Sequence, residues 1–356
     1  MYSCPSYDIQ SVDDFKLNTI DLHINRLCNM ACKYCYLIGG FNTNSDTSTF
    51  TRWNDLIDML KYINIDNDRL TINFSTGELF TSTRMPTLYN AIKKIDKINR
   101  YRAIDIEYRC FSNGTSYENI KEFMNKMFGR NITLSISYDG ENSSRLYKND
   151  SDSTLETLKS IAKINCADEV IVRSAAHENI RDLSNTIINL YNLGYKNLEY
   201  YLVDDWQGYR DPEYIELFKE EVYKLLTFFK DKGDCLYNIH KYKTRVAPTT
   251  SCVAGKTLSI DTNGRISVCS TSLNPKLGLE DISVDITEWR RIPEVFSKFK
   301  NITLDRSNLD CATCNNILCE DCCSHKAISK NYQDRLYQQC NIRHAELEVY
   351  KSIFGR

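Results

Sequence analysis

Proline and glycine are scarce, 6 and 13 in 356 residues, which excludes a collagen-like chain and a long Pro- or Gly-rich linker. An excess of one charge is missing too, since 45 Lys and Arg stand against 47 Asp and Glu. Without a basic excess nothing drives the chain toward a phosphate backbone, so nucleic acid is not expected as a main partner. No apolar run approaches the length of a membrane span. The N-terminus, MYSCPSYDIQSVDDF, has neither the basic nor the apolar region of an export signal. The expectation is a cytoplasmic protein with no membrane partner. Apolar residues make up 42% and charged residues 26%, the composition of a globular protein rather than a disordered one. The length suggests two domains, or one large domain with an extension.

Cysteine is what the chain has in plenty: 15 residues, at 4, 28, 32, 35, 110, 166, 235, 252, 269, 311, 314, 319, 322, 323 and 340. A reducing compartment disfavours structural disulfides, so clustered cysteines read as metal ligands or redox groups. The clusters lie near residue 30 and after residue 250.

Six β-rich runs precede residue 204: 18–25 (NTIDLHIN), 69–74 (RLTINF), 105–111 (DIEYRCF), 132–138 (ITLSISY), 169–175 (EVIVRSA) and 197–203 (NLEYYLV). Each is followed by apolar residues at helical spacing, as in Phe50, Trp53, Leu56, Ile57, Leu60 and Ile63. The helical pattern recurs over 88–98, 120–128, 155–164, 180–193 and 214–229, with Gly194 as a stop for the fifth helix. Six successive βα units predict an α/β fold with a parallel sheet, because each parallel strand needs a crossover. Six units fall short of a closed eight-stranded barrel, so an open partial barrel and a doubly wound sheet both fit. In either, chemistry belongs at the C-terminal ends of the strands. After residue 235 the pattern changes to a hairpin, 256–262 and 265–269, around Asn263-Gly264, predicted as a type I′ turn. Cys252 and Cys269 flank it, a cysteine-dense stretch follows over 311–323, and Cys340 lies in a helix-like tail.

Cys28, Cys32 and Cys35 form a CxxxCxxC loop immediately after the first strand. Three thiolates can hold three irons of a cubane cluster and leave the fourth iron open. The alternative is a zinc site with a distant fourth ligand, although zinc sites usually pair CxxC units. With Tyr34 just before the last cysteine, this loop resembles the signature of the radical S-adenosylmethionine (SAM) superfamily. The resemblance implies a partial (β/α)6 TIM-like barrel whose 4Fe-4S cluster chelates SAM and cleaves it with one electron to a 5′-deoxyadenosyl radical. Gly77 and Glu78, in Ser75-Thr76-Gly77-Glu78-Leu79, sit where the superfamily has a GGEP-like turn at the SAM amino group; here Thr76 replaces the first Gly and Leu79 the Pro. Ser112 and Asn113 resemble its TNG segment, and Ser137 begins a segment similar to SxDG, near the SAM ribose or carboxylate. Arg173 is a candidate partner of the SAM carboxylate, the alternative being a surface charge.

The C-terminal part resembles the SPASM extension, which carries two auxiliary 4Fe-4S clusters. By that resemblance the first takes Cys252, Cys269 and Cys323, its fourth position being either an open iron or Cys322. The second takes Cys311, Cys314, Cys319 and Cys340; the gap between Cys314 and Cys319 is one residue shorter than the pattern. The implied domains are an N-terminal arm (1–17), the radical SAM partial barrel (18–235) and the SPASM domain with short helices (236–356).

SPASM relatives mostly modify peptides, and two auxiliary clusters favour a net oxidation. The expectation is oxidative crosslinking of a ribosomally made peptide. Formylglycine formation on a sulfatase, peptide epimerisation and small-molecule dehydrogenation are the alternatives among enzymes; a non-catalytic iron-sulfur or zinc-binding module is the alternative outside them. Asp204 and Asp205, after the sixth strand, are candidate proton acceptors, or else a capping or solvated acidic pair. Tyr200, Tyr201, Trp206 and Tyr209 make that exit aromatic, to cradle a peptide or simply to pack. Cys110 and Cys235 are the conceivable hydrogen donors. About 17 residues precede the first strand, so leader recognition falls to a separate protein or to the catalytic domains. Flavodoxin or ferredoxin is the expected electron donor.

Overall fold

Alternation of polar and apolar residues along each β-rich run has the consequence expected of it in the computed structural model, which describes residues 9–32, 34–35, 48–75, 77–141, 145, 154–164, 170–203, 207–244, 256–269, 273, 282–300, 316 and 332–355. Strands β1 (Thr19–Leu22), β2 (Arg69–Phe74), β3 (Asp105–Ser112), β4 (Ile132–Ser137), β5 (Val170–Ala176) and β6 (Asn197–Leu202) alternate with helices α1 (Trp53–Tyr62), α2 (Met85–Ile95), α3 (Tyr117–Lys126), α4 (Thr154–Lys163), α5 (Leu183–Asn192) and α6 (Pro212–Phe229). The six strands are parallel and adjacent in chain order, β6-β5-β4-β3-β2-β1. A doubly wound sheet reverses its order at a switch point; this one does not, which selects the partial barrel. Helix α6 starts where Asp211 accepts from the Glu213 N–H at 2.9 Å, with Pro212 as its first residue. Gly194, at φ 112°, stops α5 as expected.

One face of the sheet is apolar and packs on the helices: Ile20, Leu22, Ile72, Phe74, Ile106, Leu134, Ile136 and Val172 are buried with Leu56, Leu60, Leu88, Ile92, Ile120 and Phe123. Cys110 belongs to this face and is fully buried, an inert core thiol rather than a hydrogen donor. The other face is polar. Its side chains tie neighbouring positions together: Asn73 Nδ2 donates to Asp21 Oδ1 at 2.8 Å, Arg109 Nε to Glu107 at 2.6 Å, and Arg173 Nε to Glu199 at 2.8 Å. A cavity of about 820 Å³ lined by Glu107, Arg109, Thr133, Arg173 and Glu199 opens at the N-terminal ends of β3–β6.

The hairpin also forms, β7 (Thr257–Ile260) against β8 (Arg265–Ser267), and β9 (Val284–Asp285) pairs with β8. It is not a separate layer: β7 pairs in parallel with β1, Leu22 opposite Ile260, and so extends the barrel sheet to nine strands. The turn differs from the expected type I′, which needs positive φ at both central residues. Only Gly264 is left-handed, at φ 84°. The Gly264 N–H instead closes a turn on the Asp261 carbonyl at 3.0 Å, and the Asp261 carboxylate accepts from the N–H groups of Asn263 and Arg265, both at 2.9 Å. That carboxylate holds a wider loop than two residues would give.

Among the described residues three more α-helices follow α6: α7 (Tyr237–Thr244), α8 (Ile292–Lys300) and α9 (Tyr332–Phe354). Helix α9 is clamped to the barrel by the buried Glu346, which accepts from Tyr200 Oη and from Arg343 Nη1, both at 2.6 Å. Tyr200 is therefore a structural anchor rather than part of a peptide cradle. Replacing Glu346 with Ala takes away the carboxylate that a buried hydroxyl and a part-buried guanidinium share, with an expected loss of about 3–5 kcal/mol. Urea unfolding at neutral pH measures it, and a change below about 1 kcal/mol contradicts the clamp. Among the described residues no helix is long and apolar enough to cross a membrane.

Candidate active site

The chain leaves β1 through His23, Ile24 and Asn25 and enters the loop that carries Cys28, Cys32 and Cys35, all three part-buried. Asn113, at the end of β3, reaches over this loop: its Nδ2 donates to Asn29 Oδ1 at 2.7 Å and lies 3.9 Å from Cys28 Sγ. Asn29 Nδ2 in turn donates to Thr115 Oγ1 at 2.8 Å. Three consecutive βα loops are thus joined when the turn after β2 is added. There the Glu78 N–H donates to Leu27 O at 2.9 Å, and the Glu78 carboxylate, 1% exposed, accepts from Phe80 N–H (3.0 Å), Ser112 Oγ (3.0 Å) and Asn113 N–H (2.7 Å). Burial raises the Glu78 carboxyl above its usual 4.5, and these three donors oppose the rise.

Gly77 makes this contact between loops possible. Its φ is 62°, and a Cβ there would stand 2.3 Å from Leu27 O and 2.6 Å from Asn25 Oδ1. Gly77→Ala is expected to strain the turn by about 1–3 kcal/mol and to weaken SAM binding by about tenfold or more. Calorimetric titration of the reconstituted protein with SAM checks this; unchanged affinity would show the turn to be remote from the ligand.

Two features test whether the loop suits a cluster and a polar ligand. Among the described residues no three His, Cys, Asp or Glu side chains are placed to hold a single metal ion. A cubane places each thiolate on its own iron, and the three thiols lie within electrostatic reach of one another. Burial, and then the nearby Glu78 carboxylate, push the Cys28 thiol up to about 12, a site where thiolates need a cation to stabilise them. Beside the loop, both ring nitrogens of His23, both amide atoms of Asn25 and Ser75 Oγ are buried without a hydrogen-bond partner. Buried polar atoms left unpaired cost about 1–3 kcal/mol each, and a polar ligand across these strand ends would satisfy them.

On the opposite side of the loop, Tyr34 Oη donates to Asp139, is hydrogen-bonded to Tyr201 and packs on His177 with ring centroids 4.7 Å apart. Burial opposes ionisation of Asp139, yet Arg145, His177, the Ala175 N–H and Tyr34 hold its carboxyl below the usual 3.8.

No protein-family model matches the chain. Two curated proteins are similar in sequence over part of it. The radical SAM cyclopropyl synthase TigE of Paramaledivibacter caminithermalis is 27% identical over 161 residues, 41% of this chain and 32% of that protein. The S-adenosylmethionine-dependent nucleotide dehydratase of Selenomonas ruminantium is 31% identical over 123 residues, 35% of this chain and 39% of that protein. The matched regions thus span about a third of those relatives' own length. In fold, the chain is similar to a histidine-tagged form of anSMEcpe with bound AdoMet, at a TM-score of 0.67 and 13% identity over 95% of this chain and 98% of that one. Native anSMEcpe with bound AdoMet and Kp18Cys peptide gives 0.65 and 15% over 95% and 100%. Over parts of its length the chain is thus similar in sequence to two S-adenosylmethionine-dependent proteins, one of them named a radical SAM enzyme, and in fold it is similar to anSMEcpe.

Of the residues expected to serve the radical SAM site, Cys28, Cys32, Cys35, Gly77, Glu78, Ser112 and Asn113 come together around the ends of β1, β2 and β3. Ser137 closes β4 opposite Arg173 of β5. Arg173 is engaged with Glu199 and lies over the Tyr201 ring at 5.3 Å. Tyr209 is buried and donates to Ala176 O at 3.0 Å, so it packs rather than cradles. Cys269 follows β8 within electrostatic reach of Asp21 and His23, and Cys340 lies on α9. Asp204, Asp205, Trp206, Cys252, Cys311, Cys314, Cys319, Cys322 and Cys323 lie outside the described residues.

Four residues of the site were not singled out from the sequence: His23, Asn25, Arg145 and His177. For His23 and Asn25 a signal was present, since Asp21, His23 and Asn25 alternate with Leu22 and Ile24 and so share the polar face. Arg145 and His177 carry no such pattern.

Proposed function

We propose that this chain is a SAM-dependent radical enzyme that oxidises a ribosomally made peptide and closes a crosslink in it. The observation that carries the reading is the loop of Cys28, Cys32 and Cys35, part-buried at the strand ends and locked to Gly77, Glu78 and Asn113. Bound there, a 4Fe-4S cluster with SAM supplies the 5′-deoxyadenosyl radical for hydrogen abstraction. The three cysteines would hold that cluster. Tyr34, Gly77, Glu78, Ser112, Asn113, Ser137 and Arg173 would surround SAM.

The oxidative outcome is supported by the cysteines of the second half. Cys252, Cys269, Cys322 and Cys323 would hold one auxiliary cluster, and Cys311, Cys314, Cys319 and Cys340 the other. A substrate radical that closes a crosslink must lose an electron and a proton; auxiliary clusters held by these cysteines would supply the electron acceptor, and Asp204 or Asp205, which follow the β6 residues in the sequence, would take the proton. A peptide as substrate is in keeping with the similar solved structure that holds one. Carbon-carbon bond formation is in keeping with the name of the cyclopropyl synthase. A reduced flavodoxin or ferredoxin would donate the first electron.

Anaerobic incubation of the reconstituted chain with SAM, dithionite and a short peptide encoded beside its gene tests the reading by mass spectrometry. The expected product is lighter by two hydrogens and appears with 5′-deoxyadenosine. A product isomeric with the substrate in ordinary water, and heavier by one deuterium when the incubation is run in deuterated water, would mean epimerisation and overturn the crosslink.

A further inference from the structure

A buried charge cluster stands against the cysteine loop that neither strand pairing nor the Gly77 turn requires. Arg145 is 8% exposed. Its Nη1 donates to Tyr34 Oη at 3.0 Å, its Nη2 lies 3.9 Å from Met30 Sδ, and its Nη1 is 3.9 Å from Asp139 Oδ2. Met30 and Tyr34 lie two residues before and two after Cys32, so the guanidinium is pinned to that loop from both sides. Asp139 is held independently of Arg145, by the Ala175 N–H at 2.8 Å and by His177 Nε2 at 3.5 Å. The ion pair is thus fixed at both ends, with the cation toward the loop. A guanidinium stays charged at any working pH, and in a buried site its field is weakly screened.

We propose that Arg145, pinned by Tyr34 and Asp139, is a positioning residue that raises the reduction potential of the cluster held by Cys28, Cys32 and Cys35. The proposal rests on the radical SAM reading above. Reduction adds one electron, supplied by an external reductant, and so one negative charge at the thiolate loop; a fixed buried cation stabilises that state more than the oxidised one. Potential follows net charge, hydrogen bonds and exposure around a cluster, and Arg145 changes the first of these without being a ligand.

The test is an EPR-monitored dithionite titration of the reconstituted full chain without SAM, so that a role in holding SAM cannot move the readout. The relevant signal is the one missing from the Cys28→Ala/Cys32→Ala/Cys35→Ala variant. Arg145→Met is expected to shift its midpoint to more negative potential, Arg145→Lys by less, and Asp139→Asn, which leaves the cation uncompensated, to more positive potential. Unchanged midpoints, or shifts of Arg145→Met and Asp139→Asn in the same direction, overturn the proposal. If Arg145→Met does not fold, Arg145→Lys and Asp139→Asn carry the test by their opposite signs. A wild-type protein that lacks the signal altogether overturns the radical SAM reading itself, a result distinct from a signal whose potential ignores Arg145.

Discussion

Replacing Cys28, Cys32 and Cys35 together with alanine is expected to remove about four of about twelve irons per chain and to abolish 5′-deoxyadenosine formation, while the other irons stay. The reason lies in the division of the fold. The triplet occupies the loop between β1 and α1, whereas Cys269 follows β8 and Cys340 lies on α9. The hairpin and the α9 clamp have supports of their own: Glu346 is held by Tyr200 and Arg343, and β7 pairs with β1 through backbone groups. Iron analysis and chromatography of the SAM cleavage products on one preparation report both halves. Retained cleavage would sink the assignment of the triplet; loss of all iron would show that the cysteine sets fold as one unit.

Glu78→Ala should be the most damaging single substitution in the site. Its carboxylate accepts from Phe80 N–H, Ser112 Oγ and Asn113 N–H inside the protein, and removal leaves three buried donors without their acceptor. At about 1–3 kcal/mol for each, the loss is about 3–9 kcal/mol against a total stability of about 5–15 kcal/mol for a domain. Because Asn113 also grips Asn29 beside Cys28, the loss reaches the cysteine loop. Glu78→Gln keeps one carbonyl oxygen and should retain part of the stability. Denaturant unfolding of the two variants beside wild type decides this; an alanine variant within about 1 kcal/mol of the parent would show that the three donors find water or other partners.

How much of this was legible beforehand follows from which interactions are local. Strand β2 runs over Arg69–Phe74 as its alternation predicts, because period-two patterning is written into neighbouring residues. The first strand was expected over 18–25 but ends at Leu22, since the chain beyond it turns into the cysteine loop. The pairing of β7 with β1 joins residues more than 230 apart, and no local pattern encodes it. At the hairpin, Asn263-Gly264 suggested a two-residue turn, but the outcome was set by the Asp261 side chain just outside that dipeptide. In the site, the cysteine spacing was decisive, and Glu78 and Asn113 could be carried over by resemblance. Arg145 was invisible for a physical reason: a charge in a loop normally points to water, and only the fold supplies the Asp139 and Tyr34 that make its burial tolerable.

The measurement closest to the central claim is anaerobic reconstitution with iron and sulfide, followed by iron quantification and then by addition of dithionite and SAM. About twelve irons per chain together with 5′-deoxyadenosine is the predicted result. Zinc in place of iron, or iron with no SAM cleavage, would contradict it and make the protein a metal-binding module rather than a radical enzyme.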